Sequence, residues 1–196
     1  MRLVLASGSP RRAELLRQMC LPFEVAVPDV DERLHAGEGA AEYVQRLARA
    51  KAAAVAGASR AGETLVIGAD TTVVLGRQVL GKPRDAADAA AMVLRLSGRT
   101  HRVMTGVAVS DGARTRAALS ISRVRFRAIE PAEAEAYAAT GEGLDKAGGY
   151  GIQGIGGIFV ETLRGSYSAV VGLPLMETER LLTGFGLDTW RLRRDG

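Results

Sequence analysis

Cysteine, histidine, lysine and aromatic residues are all scarce in this chain of 196 residues. Cys20 is the single cysteine, which excludes a disulfide framework and a cysteine-rich metal site. It is expected in the core, on the first helix. His35 and His101 are the only histidines, and they form no H-x-x-x-H pair, so a zinc hydrolase is not expected. No G-x-S-x-G elbow is present, and a serine nucleophile therefore has no support. Both histidines are expected to be structural or superficial. Aromatic residues make up 5%, too few for base-stacking platforms, and the basic residues are spread rather than clustered, so no nucleic-acid partner is expected. No apolar run approaches the roughly 18 residues of a membrane span, and the N-terminus lacks the ordered regions of a signal peptide. These features predict a soluble, cytoplasmic protein with no membrane partner, long enough to bury a full core as one domain or as one domain with two lobes.

The shortage of lysine is the most telling of these. Of 26 basic residues only Lys51, Lys82 and Lys146 are lysine, which leaves 23 arginines. Where arginine is used so freely, a retained lysine marks a candidate position for a compact ammonium rather than a planar fork. The alternative is chance, since three residues are few.

What is there begins with the first sixteen residues. Leu3-Val4-Leu5-Ala6 reads as a buried strand, Ser7-Gly8-Ser9-Pro10 breaks it, and Arg11-Arg12-Ala13-Glu14-Leu15-Leu16 starts a helix. Ser9 suits the N-cap, and Pro10 the first helical position. Two arginines in a first turn oppose the helix dipole, so local helix stability does not explain them. An anion, most simply a phosphate, held by free backbone N–H groups, the helix dipole and the forks of Arg11 and Arg12 does. A solvated first turn of an ordinary strand–helix unit is the plainer alternative.

Phe23 to Val27 alternates as a second strand, followed by an acidic loop, Asp29-Val30-Asp31-Glu32. That loop is either solvated or a place where Glu32 serves a divalent metal or a water. Ala40 to Ser59 is alanine-rich with helical spacing, and Lys51 lies in its middle. Thr64 to Leu75 is strongly strand-like yet contains Asp70, a carboxylate that burial penalises unless it is paired, hydrogen-bonded or metal-bound. Gly68 is read as a bulge that re-aims a side chain. Gly76 to Pro83 nearly spells a phosphate-binding Walker loop, but Pro83 stands where the metal-binding hydroxyl belongs. That segment reads instead as a hairpin and loop, with Lys82 on a rigid turn facing back toward Asp70.

Asp85 caps a helix to about Ser97. Arg99–Ser110 and Arg114–Ala128 read as a long hairpin turning at Asp111-Gly112, with Arg123, Arg125 and Arg127 on one solvated face. A helix follows from Pro131 to about Thr140. Gly141 to Gly157 contains G-x-G-x-x-G at Gly149, Gly151 and Gly154, but it precedes a strand at Ile158-Phe159-Val160, not a helix, so it is no dinucleotide fingerprint. It reads as a loop bringing backbone close to a ligand, with Gln153 able to meet a base edge. Gly165 to Ser168 is a turn, Ala169 to Val171 a short apolar segment, Leu173-Pro174 the start of a helix to about Thr183, and Asp188 to Gly196 a polar tail. An anion site, scattered cations and a few carboxylates suit metal-assisted attack of water on a phosphoanhydride.

These motifs together resemble one family, the Maf nucleoside triphosphate pyrophosphatases. The likeness is carried by Ser7-Gly8-Ser9-Pro10-Arg11-Arg12-x-Glu14-Leu15-Leu16, Asp31-Glu32, Arg49-x-Lys51-Ala52, Gly68-Ala69-Asp70-Thr71, Gly81-Lys82-Pro83, Thr105-Gly106-Val107, Asp145-Lys146-Ala147-Gly148-x-Tyr150-Gly151-Ile152-Gln153-Gly154 and Gly165-Ser166-Tyr167-x-Ala169-Val170-Val171-Gly172-Leu173-Pro174-Leu175. The resemblance implies a single catalytic domain over residues 1–196, of mixed α/β class, with a long curved mixed sheet and two lobes around a central cleft. It implies cleavage of a nucleoside triphosphate to monophosphate and pyrophosphate with a divalent cation, Mg²⁺ or Mn²⁺, in a homodimer. By position, Asp70 matches the catalytic acid/base and Arg11, Thr71 and Gln153 the residues that sort substrates. Ser7, Ser9, Arg12, Lys51 and Lys82 match phosphate-binding positions, and Glu32 with Asp70 the metal-binding acids. The form of the 145–154 motif resembles the branch acting on dTTP and UTP. The alternatives are the same reaction on 7-methyl-GTP, or a nucleotide-binding factor that arrests cell division. No role is assigned to Asp145 or Lys146, and Gly149, where the family often has alanine, is expected to matter little.

Overall fold

The computed structural model describes residues 1–57 and 62–195. Its elements are β1 (Arg2–Ala6), α1 (Pro10–Arg17), β2 (Glu24–Ala26), α2 (Ala40–Ala56), β3 (Thr64–Leu75), β4 (Gln78–Leu80), α3 (Ala86–Leu96), β5 (Thr100–Ser110), β6 (Thr115–Phe126), α4 (Pro131–Ala139), β7 (Val160–Arg164), α5 (Tyr167–Val171), α6 (Leu175–Gly184) and α7 (Thr189–Asp195). The strands form one seven-stranded mixed sheet in the order β2-β1-β3-β5-β6-β7, with β4 paired to β3. The class is mixed α/β, as expected. The chain divides into two compact units. The first comprises Met1–Asp70, Thr105–Ser120 and Gly172–Gly196, and the second Thr71–Met104 and Ile121–Val171. Among the described residues no helix is long and apolar enough to cross a membrane.

In the first unit, β1 lies between β2 and β3 and is parallel to both. Leu3 to Ala6 are buried, which a strand covered on both faces requires. The Ala-rich face of α2 lies close against the sheet: Ala48, Ala52 and Ala56 share a core with Val4, Ala6, Val66 and Ala108. Two strand glycines permit that approach. A Cβ on Gly68 would lie 2.3 Å from the Ala48 carbonyl oxygen, and one on Gly106 2.4 Å from that of Val44. The pairing of β1 with β3 runs in unbroken register from Arg2↔Thr64 to Ala6↔Gly68. Gly68 is therefore not a bulge; it is the floor on which α2 rests.

Helix α2 ends at Ala56, with Gly57 at its C-cap; the expected end at Ser59 lies outside the described residues. Cys20 is exposed and past the end of α1, in a left-handed conformation (φ 52°), while Met19 and Leu21 take the buried places beside it. The segment from Asp188 is not a tail. The Asp188 carboxylate accepts the Arg191 N–H at 2.9 Å and starts α7, whose Arg193 pairs with Glu179 at 2.8 Å and donates to the Met19 carbonyl. Gly196 lies outside the described residues.

The second unit has its own core, in which α3 and α4 bury Ala89, Val93, Leu96, Ala134 and Tyr137 with Val124, Phe126, Tyr150 and Phe159. Asp85 caps α3 by accepting the Asp88 N–H at 2.8 Å. The β3–β4 hairpin pairs Val73 with Leu80 across a turn at Gly76. Arg123 and Arg125 are exposed while Val124 and Phe126 are buried, as the alternation predicts, but Arg127, past the end of β6, is half-buried and bonded to Glu133 and the Ile158 carbonyl. The last strand starts at Val160, not Ile158, because Ile155–Phe159 closes into a 3₁₀ turn. Tyr167 to Val171 forms a short helix where the end of a turn and the apolar segment Ala169 to Val171 are expected.

Candidate functional site

The first unit gathers Ser7, Arg12, Glu32, Lys51 and Asp70. At the end of β1, the buried Ser7 hydroxyl oxygen accepts the Ser9 N–H at 3.2 Å and Arg12 Nη1 at 3.3 Å. Ser9 occupies the N-cap of α1 with extended backbone (φ −79°, ψ 115°), and Pro10 follows at the first helical position, as expected. The Ser9 side chain makes no capping bond to the helix, so capping does not occupy its hydroxyl. Arg12 Nε donates to the Gly172 carbonyl at 2.9 Å. Two oxygens from distant parts of the sequence thus fix one guanidinium at a helix N-terminus. Burial lowers the Arg12 guanidinium from its ordinary pKa; Asp70 and Glu32 act against that shift and Arg11 adds to it. Asp70, Glu32 and Arg11 are therefore each within electrostatic reach of Arg12. Arg11 is half-buried.

Lys51 and Asp70 are both buried, at 6% and 7% exposure. One is held by the middle of α2 and the other by β3. Lys51 Nζ donates to Asp70 Oδ1 at 2.8 Å and lies 2.5 Å from Glu32 Oε1. The buried carboxylate in the apolar strand is thus paired, as its cost demands. Breaking a buried pair of this kind by removing one partner typically costs roughly 3–5 kcal/mol. Glu32 comes from the acidic loop, and α2 also ties that loop down. The Tyr43 hydroxyl donates to the Glu32 carbonyl at 2.9 Å, and Arg46 donates to the Arg33 carbonyl at 2.9 Å and to both Glu38 oxygens. Arg46 brings the Glu38 carboxyl down to about 2, and burial, with Asp70 and Glu32 next in weight, raises the Tyr43 phenol to about 12. Tyr43, Arg46 and Glu38 were not legible as site residues, since in sequence they are ordinary members of a helix face and a charged loop.

Three expected site residues belong to the second unit. Thr71 is half-buried on β3, next in sequence to Asp70. Lys82 is exposed in the loop after β4, beside the buried Pro83. Gln153 is exposed in the glycine-rich loop. That loop is tied to its own unit: Gly148 N–H donates to the Gly81 carbonyl at 3.0 Å, and both Gly148 and Gly149 have left-handed backbone (φ 75° and 74°). Gly149 therefore matters more than expected, because alanine is strained in that conformation. Lys146 pairs with Asp145 at 2.6 Å and donates to the Glu142 carbonyl, so its ammonium has local partners.

For a metal, the donors at hand are Glu32 and Asp70. Among the described residues no group of three or more histidine, cysteine, aspartate or glutamate side chains gathers to make a protein-only cage. Two carboxylates around one cation position, now taken by the Lys51 ammonium, fit a hard cation of the Mg²⁺ kind. Such a cation takes one or two carboxylates and completes its shell with phosphate and water oxygens. The arrangement combines cations for a polyanion with a carboxylate able to take a proton.

Residues 2–185 match the family model described as Maf-like protein. Among similar curated proteins, one of Vibrio cholerae is 56% identical over 184 residues, covering 94% of this chain and 98% of its own. One of Salmonella typhimurium is 54% identical, covering 99% and 98%, and one of Aromatoleum aromaticum 52% identical, covering 94% and 96%. All three are named dTTP/UTP pyrophosphatase. A solved nucleoside-triphosphatase / dITP/XTP pyrophosphatase of Mycobacterium abscessus aligns over 95% of this chain and 96% of its own at 15% identity, with a TM-score of 0.46.

Proposed function

The chain belongs to the family of Maf-like proteins, and on that footing we propose that it hydrolyses dTTP and UTP to the monophosphate and pyrophosphate. The substrate pair rests on the names carried by relatives that are 52–56% identical over nearly the whole chain. The reaction rests on one observation: Lys51 Nζ held between Asp70 and Glu32, at 2.8 and 2.5 Å, in the same unit as Arg12.

In this reading Arg12 and Arg11, at the N-terminus of α1, take up the charge of the phosphate chain, and Lys51 turns from its carboxylates to a phosphate oxygen. Asp70 accepts a proton from water as the water oxygen bonds to phosphorus. The bond from phosphorus to the bridging oxygen breaks, and pyrophosphate leaves. Arg12, already fixed by Ser7 and Gly172, needs little rearrangement as charge develops. Glu32 and Asp70 are the residues that would hold a divalent cation, Mg²⁺ or Mn²⁺, which when bound neutralises phosphate charge and polarises the phosphoryl group. Lys82 is assigned to phosphate, and Thr71 and Gln153 to the choice of nucleotide, from the resemblance. A homodimer and a cytoplasmic location belong to the same reading, from the family likeness and the sequence respectively.

A panel of dTTP, UTP, CTP, dGTP and 7-methyl-GTP, assayed for pyrophosphate release with and without Mg²⁺, tests it. The expected result is turnover of dTTP and UTP well above the others, only with metal, giving pyrophosphate and not orthophosphate. Preference for 7-methyl-GTP would transfer the assignment to the alternative substrate. Tight nucleotide binding without turnover would favour a sensor.

A further inference from the structure

The glycine-rich loop that carries Gln153 is fastened by one carboxylate. Glu142 Oε2 accepts the Ile155 N–H at 2.7 Å, and Oε1 accepts the Gly156 N–H at 3.0 Å and the Tyr137 hydroxyl at 2.9 Å. The same Tyr137 hydroxyl accepts the Gly151 N–H at 3.1 Å. Lys146 donates to the Glu142 carbonyl. The backbone is therefore held on both sides of Gln153, at Gly151 and at Ile155-Gly156, by a pair of side chains in contact with each other. Charge-assisted bonds from backbone N–H groups to a carboxylate are the stronger kind. Burial raises the Glu142 carboxyl, but the Gly156 and Ile155 N–H groups, Tyr137 and Lys146 outweigh it, and the net shift is downward. The fastening also explains the glycine spacing, which matches a dinucleotide motif only outwardly. A Cβ on Gly154 would lie 2.2 Å from Glu142 Oε2, and one on Gly151 2.8 Å from Lys146 Cε. These glycines make room for the anchor rather than for a pyrophosphate.

We propose that Glu142 is a positioning residue that sets nucleotide selectivity by holding, with Tyr137, the loop that presents Gln153. This rests on the reading above in which Gln153 meets the base. Glu142 itself touches no substrate. Its carboxylate fixes where the loop backbone passes, and so where the Gln153 amide can form its donor–acceptor pair. Most of the energy of such a pair is lost when the amide is free to wander.

The test compares kcat/KM for dTTP with that for dGTP in wild type, Glu142→Gln, Gln153→Ala and the double variant. Glutamine keeps the size of the side chain but can accept at only one of its two ends. Each single variant is expected to lower the selectivity ratio about tenfold, the scale of one charge-assisted hydrogen bond. The double variant is expected to lose little beyond either single one, because both act through the same contact. Amide exchange at Ile155 and Gly156 should quicken in Glu142→Gln. If Glu142→Gln does not fold, Gly154→Ala replaces it. There the backbone allows a side chain (φ −111°), the new methyl expels the carboxylate, no charge is removed, and the same fall in selectivity is expected. An unchanged ratio in Gln153→Ala overturns the reading of Gln153 and the proposal with it. A changed ratio in Gln153→Ala with an unchanged one in Glu142→Gln overturns the proposal alone, as do losses that simply add in the double variant.

Discussion

Lys51 meets two carboxylates through one nitrogen, at 2.8 and 2.5 Å, and that geometry explains why it is not arginine. A guanidinium fork matches one carboxylate edge-on, whereas a compact ammonium donates in three directions and can sit between two acids. The arginine bias of the chain thus pointed to a real constraint at Lys51. At Lys146 it pointed to a local clamp, and Lys82 stands exposed. His101, expected to be structural or superficial, is structural. It is 1% exposed, its Nε2 lies 2.8 Å from the Tyr150 hydroxyl, and Phe126 packs edge-on at 4.9 Å. Burial brings its pKa down to about 4 from the ordinary value of 6.5. The folded state therefore binds fewer protons than the unfolded chain between those values. Its contribution is complete above the unfolded pKa and is lost as pH falls toward about 4, by about 3 kcal/mol over that window. His101→Gln leaves Tyr150 a polar partner and removes the titration. In urea unfolding at pH 7 and pH 4.5, this variant should lose less stability on acidification than wild type; equal losses would contradict the account.

At the scale of elements, periodicity and punctuation were enough for most of the framework. The strand–turn–helix start, the hairpin at Asp111-Gly112 and the capped α3 fall where residue chemistry puts them. What failed were features set by a partner rather than by the local sequence. Gly68 could be read as permissive, but nothing in its neighbours says that the permission is used by Ala48 and Ala52 of α2 rather than by a bulge. Cys20 lies outside the core because the chain turns left-handed there, and α7 is held by Asp188 and the Arg193–Glu179 pair, which no apolar period announces. The packing of α2 on β3 also sets the position of Lys51 against Asp70, since each element contributes one of them. Gly68→Ala should therefore cost at least about 3 kcal/mol, because the new methyl meets backbone that cannot step aside. Gly81→Ala, with nothing within 4 Å and no left-handed backbone, should stay within about 0.5 kcal/mol. Chemical denaturation of the two variants measures the difference; similar midpoints would contradict the packing.

Across the whole molecule, the first unit draws its charged cluster from the end of β1 and the start of α1, the acidic loop, α2 and β3, a spread from Ser7 to Asp70 in sequence. Each member was visible as a motif, because buried charge and odd residue choice show in the sequence. Their pairing was not, nor was the support given by Tyr43, Arg46 and the Gly172 carbonyl, because only the fold decides which distant groups meet. In the function proposed above, this cluster binds a triphosphate with its cations and activates water with Asp70. Asp70→Asn tests it most directly, since asparagine keeps the shape and Lys51 keeps Glu32 as a partner. With folding checked by circular dichroism and dTTP binding by calorimetry, the account predicts an intact fold, retained nucleotide binding and a kcat for pyrophosphate release at least about 100-fold lower, the scale of a lost general base. Turnover near that of the wild type would contradict it.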